Sequence, residues 1–263
     1  NANTQGIADI EIYYGNPGDQ PLAGDWNGDG CETIGIYRPS GTRFYLRNSN
    51  TAGVADVDFA FGNPGDQPLA GDWNCDGVKT PGLYRQSDGF VYLRNSNTQG
   101  VADISFFFGN PGDLPVAGDF DGDDCDTLSI YRPSEGRFFV INQLGQNNGG
   151  LGAAEYDFYF GNPGDNPFVG DFNGDGVDTI GLYRTTTGFV YFRNSLNSGV
   201  ADLSFFYGDP GDKIVAGDWD GDGDDTVAVY RPSTGRFYAN FNNTSGNADY
   251  TVFVGYYIAA ARG

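Results

Sequence analysis

Apolar and polar residues alternate in short runs that recur along the chain at a nearly fixed spacing. One run, residues 33–38, reads Thr-Ile-Gly-Ile-Tyr-Arg, and a Pro-Ser-Gly turn connects it to a second predicted strand at residues 44–47. Alternation over about six residues predicts a strand with two unlike faces, and the short turn predicts a hairpin. A small residue, here Gly35, separates the two apolar positions and should let another sheet or backbone approach closely. The equivalent runs begin at Thr80, Thr127, Thr179 and Thr226.

Two further strands complete each unit. A polar linker leads to a third strand, as at residues 102–108, which ends in a Gly-Asn-Pro-Gly-Asp turn. A short segment such as residues 21–24 then enters an acidic loop, and its small residues suit an innermost strand near an axis. Each unit thus has four strands and no helical period. Such sheets repeated radially form a β-propeller, whereas the alternative, a parallel β-helix, has much shorter coils.

The acidic loops set the repeat length. They begin at Asp25, Asp72, Asp119, Asp171 and Asp218. Successive loops are 47, 47, 52 and 47 residues apart, and the longer spacing reflects five extra residues within 143–153, a predicted surface excursion and contact point. The chain is therefore predicted to be an all-β, five-bladed β-propeller of four-stranded antiparallel blades, about 47 residues per repeat, in a single domain. Its predicted divisions are a closing strand at 1–14, repeats at about 15–61, 62–108, 109–160, 161–207 and 208–254, and a C-terminal tail at 255–263.

Oxygen-bearing side chains alternate in each acidic loop. Counting from the first aspartate, positions one, three and five carry Asp or Asn, and glycine occupies most of the positions where the backbone turns sharply. This is a ligand layout that calcium favours. The alternative is that the loops stabilise themselves by side-chain to backbone hydrogen bonds without a metal ion. The candidate ligands are Asp25, Asn27, Asp29, Asp72, Asn74, Asp76, Asp119, Asp121, Asp123, Asp171, Asn173, Asp175, Asp218, Asp220 and Asp222.

The order of motifs resembles the FG-GAP and VCBS-type propeller repeats of integrin α-subunit heads and secreted bacterial proteins. The match runs from Phe61-Gly62 through Pro-x-Ala-Gly-Asp and the acidic loop to Tyr84, and its counterparts cover almost the whole chain. The resemblance implies that each loop joins the first and second strands of a blade and binds calcium through the residues named above. It also implies that a backbone carbonyl at position seven is a ligand, from Cys31, Val78, Cys125, Val177 or Asp224.

Position nine departs from the family pattern. The family usually has aspartate there, whereas this chain has threonine in every loop, with an acid one place earlier in four of the five. Calcium affinity depends on the charge and rigidity of the ligands, so we expect weakened sites. The second loop is the poorest candidate because Lys79 replaces the acid. In the third loop Asp124 stands where glycine is expected, which strains the turn.

Composition excludes several classes of function. The formal net charge is −21 with only 14 Lys and Arg, so the surface repels nucleic acid and anionic membranes. The sequence contains no run of eighteen apolar residues that would predict a membrane span, so membrane insertion is not expected. The chain has no histidine, which excludes imidazole metal sites and His-based catalytic triads. The carboxylates recur in five similar copies, whereas an active site is normally a single constellation, so the chain is expected not to be an enzyme.

The cysteines and the start of the chain point to an extracellular protein. The sequence begins at Asn1 and contains no methionine, which fits a processed secreted product at the cell surface or beyond. Cys31, Cys75 and Cys125 lie in the first three acidic loops. If these loops crowd one rim, Cys75 pairs with one of the other two and leaves an odd thiol. The alternative is three small buried thiols.

The predicted outer strand occurs once too often for five blades. It precedes each of the five turns and appears again at residues 249–254, so one terminal copy is surplus. If residues 7–14 complete the last blade, as an N-terminal strand commonly does in propellers, then 249–254 and the apolar residues 255–261 have no position. An unpaired strand favours association, either as a fifth strand on a blade edge or by addition to another copy. A head-to-tail contact of this kind yields a filament.

These features predict a calcium-stabilised, extracellular structural or adhesive propeller that assembles into filaments by strand exchange between copies of itself. The alternative is a lectin-like propeller that binds glycans through repeated Tyr-Arg pairs. A competing interpretation of these pairs is that each arginine binds the aspartate of the adjacent turn and locks the blades together. The pairs are Tyr37/Arg38, Tyr84/Arg85, Tyr131/Arg132, Tyr183/Arg184 and Tyr230/Arg231.

Overall fold

The computed structural model describes residues 14–51, 53–145, 149–150, 153–219, 222–233, 236–243 and 250–253. All regular elements in these residues are β-strands, arranged as five sheets. No helix in this described part is long and apolar enough to cross a membrane.

Each sheet is one blade, and each blade takes its four antiparallel strands from one repeat. The first blade contains β1 (Gln20–Gly24), β2 (Thr33–Arg38), β3 (Arg43–Leu46) and β4 (Val57–Ala60). The second contains β5 (Gln67–Gly71), β6 (Thr80–Arg85), β7 (Phe90–Leu93) and β8 (Ile104–Phe107). The third contains β9 (Leu114–Gly118), β10 (Thr127–Arg132), β11 (Arg137–Val140) and β13 (Tyr156–Tyr159), and β12 (Gly149–Gly150) lies in its insertion. The fourth contains β14 (Asn166–Gly170), β15 (Thr179–Arg184), β16 (Phe189–Arg193) and β17 (Leu203–Phe206). The fifth contains β18 (Lys213–Gly217), β19 (Thr226–Arg231), β20 (Arg236–Ala239) and β21 (Tyr250–Phe253).

The inner strands form a closed ring. The strands β1, β5, β9, β14 and β18 contact one another in this order, and β18 contacts β1 in turn. Each second strand packs between neighbouring blades, so its first five residues are buried, on both faces of the sheet. The prediction of a five-bladed, four-stranded, all-β propeller is confirmed.

Small residues in the second strands admit a tryptophan ring rather than another sheet. A Cβ atom added to Gly35 would lie 2.8 Å from Cζ2 of Trp26, which belongs to the acidic loop of the same blade. In the second blade, a Cβ atom added to Gly82 would lie 2.9 Å from Cζ2 of Trp73. Both rings are buried, so the loop is anchored in its blade by an apolar side chain beside its first aspartate.

The C-terminal copy of the outer strand has a position in the fold, a point that our sequence analysis left open. Strand β21 pairs with β20, with Arg236 opposite Phe253, and the same register joins Arg43 to Ala60 in the first blade. In the described residues the fifth blade is thus completed by the end of its own repeat, and the interpretation that residues 7–14 fill this position stays a prediction. Of the N-terminal copy only Tyr14 lies within the described residues, and the tail 255–263 lies outside them.

The insertion in the third repeat contacts the neighbouring blade. Strand β12 pairs in parallel with β8, which makes the second sheet five-stranded. Gly145 lies against the ring of Phe106, where an added Cβ would be 2.5 Å away. The insertion within 143–153 thus packs on the second blade, and the outer edge of a blade accepts an additional strand.

Cys75 and Cys125 form a disulfide between the second and third acidic loops, with Cα atoms 4.8 Å apart, and Cys31 is free and exposed. We expect reduction, or Cys75→Ala with Cys125→Ala, to lower the free energy of unfolding by about 2–4 kcal/mol, because the bond closes a loop of about 50 residues in the unfolded chain. Urea denaturation measures this change. The control Cys31→Ser should leave the midpoint unchanged. Equal midpoints for the oxidised and reduced protein would contradict the prediction.

Candidate functional site

The first aspartate of each acidic loop accepts hydrogen bonds from the backbone of its own loop. In the first loop, Asp25 Oδ1 accepts from the N–H groups of Gly28 (2.7 Å) and Asp29 (3.2 Å), and Oδ2 accepts from Gly30 (2.7 Å). The N–H at position six donates to the first aspartate in the other loops as well, at 2.7, 2.8, 2.7 and 3.0 Å. Position one therefore fixes the turn, as in side-chain-stabilised Asx turns.

Positions three and five contact each other. Asn27 Nδ2 donates to Asp29 Oδ2 (2.9 Å), and Asp29 Oδ1 accepts from the N–H of Cys31 (3.0 Å). The second and fourth loops repeat the amide contact, at 3.0 Å in both. In these three loops the predicted ligands thus lie together in one turn and satisfy one another, as the metal-free interpretation expects.

The third loop has a different donor set. Asp121 replaces the asparagine, and one oxygen from each of Asp119, Asp121 and Asp123 lies within 4.8 Å of the others. Burial and the negative charges of Asp123 and Asp119 raise the pKa of Asp121. Asp124 adopts φ 66° and donates its N–H to Asp119, so the turn keeps its hydrogen bond at a left-handed residue. Three converging carboxylates fit calcium. The fifth loop also has three, but Asp220 lies outside the described residues.

We expect calcium to raise the melting temperature by about 5 °C at a concentration of 100 Kd, because such binding contributes about 2.7 kcal/mol. Asp121→Asn should remove much of this rise and should stabilise the chelator-treated protein, since it relieves carboxylate repulsion. The reverse change in the fourth loop, Asn173→Asp, is the matched control and should enlarge the response. Differential scanning calorimetry with calcium and with chelator measures both. Identical melting temperatures in the two buffers would contradict calcium binding.

The threonine at position nine is structural. Thr33 Oγ1 donates within the first blade to the carbonyls of Arg47 (2.6 Å) and Gly24 (3.3 Å), and Thr80 makes the equivalent contacts with Arg94 and Gly71. Its hydroxyl thus joins the first and third strands. In the first two blades, position nine therefore holds a bridge between strands rather than a candidate ligand.

The residue at position eight joins neighbouring blades, a role that our sequence analysis missed. The N–H of Asp178 donates to the carbonyl of Asp119 (2.7 Å), and Asp178 Oδ2 accepts from the N–H of Asp119 (2.8 Å). Asp225 contacts Asp171 in the same two ways, at 2.7 and 3.0 Å, and Asp126 contacts Asp72. Recurrence of an acid at this position, broken only by Lys79, was the available signal.

The five residues at position eight, here called the axial ring, lie at the junctions of the inner strands. They are Glu32, Lys79, Asp126, Asp178 and Asp225. Asp126 is buried and accepts a hydrogen bond from the Lys79 ammonium, and the other four are half-buried. Four carboxylates thus share one cation.

Burial and mutual repulsion shift the ionisation of the axial ring. Burial, followed by the charges of Asp126 and Asp225, raises the pKa of Asp178 to about 8. Burial and the Glu32 charge raise the pKa of Asp225 to about 8, and burial raises that of Glu32 to about 7 although Lys79 opposes it. Burial disfavours the charge on Lys79, but the charges of Asp126 and Glu32 prevail and raise its pKa.

The arginines of the Tyr-Arg pairs bind the aspartates of adjacent turns, which confirms this part of the competing interpretation, whereas the contact with the turn of the next blade comes from the tyrosine. Arg38 donates from Nε and Nη2 to the two carboxylate oxygens of Asp19 (2.9 and 2.7 Å) and stacks on Tyr45. Tyr84 is fully buried and donates its hydroxyl to the carbonyl of Asn110, in the turn that leads into the next blade. The same bidentate arginine contacts occur in Arg85–Asp66, Arg132–Asp113, Arg184–Asp165 and Arg231–Asp212.

Comparison with known proteins adds a limited likeness of fold. No protein-family profile and no curated protein matches the chain. A crystal structure of BBS1N in complex with ARL6DN, soaked with lead, is similar over 94% of this chain and 70% of that chain, at 14% identity and a TM-score of 0.45. A crystal structure of the same complex soaked with mercury is similar over 97% and 70%, at 12% identity and a TM-score of 0.44. The five-bladed architecture therefore rests on the strand pairing of this chain.

Proposed function

We propose that this chain is a non-enzymatic structural or adhesive propeller of the FG-GAP/VCBS repeat type, located outside the cell, stabilised by calcium and assembled with copies of itself. The observation that carries the proposal is that its repeated polar motifs hold the fold together. The Arg38–Asp19 contact fixes the turn between blades, and the Asp178–Asp119 contacts join two loops across a blade junction. These side chains build a rigid body rather than a reaction centre.

An extracellular location is supported by the disulfide between Cys75 and Cys125. Disulfides form and persist mainly in oxidising compartments. The strongly acidic surface fits the same proposal, because several bound divalent cations would offset part of the net charge of −21.

The outer strands support an adhesive role. Phe107, Tyr159 and Phe206 occupy equivalent positions at the ends of β8, β13 and β17, and 39–54% of their surface is exposed. Aromatic side chains repeated on the rim of three consecutive blades offer contact area to a partner. The carbohydrate-binding alternative has less support, because Arg38 and its counterparts bind aspartates and Tyr84 is buried.

Self-association is the test of this proposal. We expect light scattering of the purified chain to show multimers, and electron microscopy to show filaments whose abundance falls in chelator. A glycan array should show no binding. Discrete monomers at all protein concentrations, with and without calcium, would overturn the proposed assembly.

A further inference from the structure

The junction between the fifth and first blades differs from the other four. At each other junction, the aromatic residue that fills the space between blades directly follows the outer strand of the preceding blade. Phe61, for example, follows β4 and packs with Phe44 of its own blade and Leu83 of the next. At the closing junction this place is taken by Tyr14, which packs with Ile36 of the first blade and Tyr230 of the fifth, whereas the outer strand is β21.

Two chain segments are thus encoded for one position. Residues 10–13 precede Tyr14 in the sequence as β4 precedes Phe61, so an outer strand of the fifth blade formed by them would have the register that β4 has in the first blade. Strand β21 holds that position, with Tyr238 opposite Thr251. By the same register, Glu11 would lie opposite Tyr238.

Residues 10–13 carry the larger apolar residue at the inward position of the strand. The equivalent inward residues of the first four blades are buried phenylalanines: Phe59, Phe106, Phe158 and Phe205. The N-terminal copy has Ile12 at this position and the C-terminal copy has Val252. Isoleucine buries one methylene more than valine, which favours residues 10–13 in the same space.

The two copies also differ in how they are attached. Tyr14 leads at once into the turn at residues 15–19, where the Asp19 N–H donates to the Asn16 carbonyl (3.0 Å) and Arg38 binds Asp19. Tyr14, the last residue of the N-terminal copy, is therefore held between the fifth and first blades. Strand β21 instead follows the polar segment 244–249, whose six residues span at most about 20 Å when extended. The C-terminal copy is the one that can reach a neighbouring molecule.

We propose that residues 10–13 take the outer position of the fifth blade in the assembled protein, and that the released β21 and the apolar residues after it add to an outer blade strand of a second copy. The acceptor is the edge of an outer blade strand. Within one chain such an edge already binds an additional strand, since β12 pairs with β8. Strand β17 offers such an edge with Leu203 and Phe206 exposed. Addition of an extended segment to a sheet edge gains backbone hydrogen bonds at each copy, and a head-to-tail contact propagates.

A pair of engineered disulfides in full-length protein tests this inference, which rests on the proposed self-association. In a Cys31→Ser background, Tyr238→Cys with Thr251→Cys locks β21 into its own blade when oxidised, because cross-strand neighbours lie within disulfide range. We expect the locked protein to remain at the mass of one chain, 28.2 kDa, under conditions where the parent forms multimers. Tyr238→Cys alone, oxidised in the same way, is the control and should assemble.

The second variant, Tyr238→Cys with Glu11→Cys, should form a bond within one chain and still assemble. Multimers of the locked Thr251→Cys variant, or no bond in the Glu11→Cys variant, would overturn the exchange. In both of these outcomes the parent protein still assembles. If the parent protein itself does not assemble, it is the proposed function that fails.

Discussion

Replacing Lys79 with methionine is expected to lower the free energy of unfolding by about 3–5 kcal/mol at pH 7, the range measured when one partner of a buried ion pair is removed. Lys79 is one of only two lysines in the chain, and its ammonium contacts Asp126, whose side chain is 3% exposed. Without it the four acidic side chains of the axial ring have no cation among them. Methionine keeps most of the unbranched stem of the side chain, so the change removes mainly the charge.

Urea denaturation in the presence of chelator measures this effect, because bound calcium would mask it. Lys213→Met is the matched control, since Lys213 is exposed on β18, outside the axial ring, and its loss should change the midpoint little. Adding Asp126→Asn to Lys79→Met should recover part of the loss by removing the uncompensated charge. Equal destabilisation by the two lysine substitutions would contradict the role given to Lys79.

The protein is also expected to lose stability as the pH rises from 6 to 9. The pKa of Asp178 and that of Asp225 are each raised to about 8 by burial, so the folded state retains two protons that the unfolded state has already released. A proton held more tightly by the folded state stabilises it below that pKa, and this contribution disappears as the pH passes through about 8. At about 1.4 kcal/mol per pKa unit, the two aspartates together account for about 5 kcal/mol between pH 6 and pH 9. Glu32, with a pKa raised to about 7, acts in the same direction.

Unfolding midpoints in chelator at pH 6, 7, 8 and 9 test this prediction. Asp178→Asn with Asp225→Asn should flatten the profile and stabilise the protein at pH 9, because the amide oxygens can still accept the backbone hydrogen bonds of Asp119 and Asp171. The loss of free energy of unfolding caused by Lys79→Met should also increase with pH, because more of the acidic side chains ionise. Stability that is constant or increases over this range would show that the axial ring is ionised in the folded protein at neutral pH.

The local structure could be predicted because it depends on neighbours in the sequence. Alternating residues 33–38 form β2, and the Pro-Ser-Gly turn connects it to β3, since the period of two and the turn residues act within a few positions. The pairing of Arg38 with Asp19 was also accessible, because both residues recur at fixed places in each repeat.

The candidate site was predicted less completely. The loop residues do converge, but the sequence did not show that Asn27 donates to Asp29, or that the oxygens of Asp119, Asp121 and Asp123 lie within 4.8 Å of one another. Position eight appeared to be a displaced ligand. Its role depends on contacts such as Asp178 with Asp119, which are 59 residues apart and meet only when two blades pack side by side.

The sequence by itself determined the number of blades, their strands and the loops that connect them, because each blade is built from one contiguous repeat whose pattern acts locally. The tertiary structure decided what happens between blades: the axial ring with a single lysine, the disulfide from Cys75 to Cys125 rather than Cys31, and the position of the last outer strand. These features depend on closure of the ring, which brings together side chains about 50 residues apart. The two terminal copies have similar patterns, so the sequence alone did not show that residues 250–253 pair with β20.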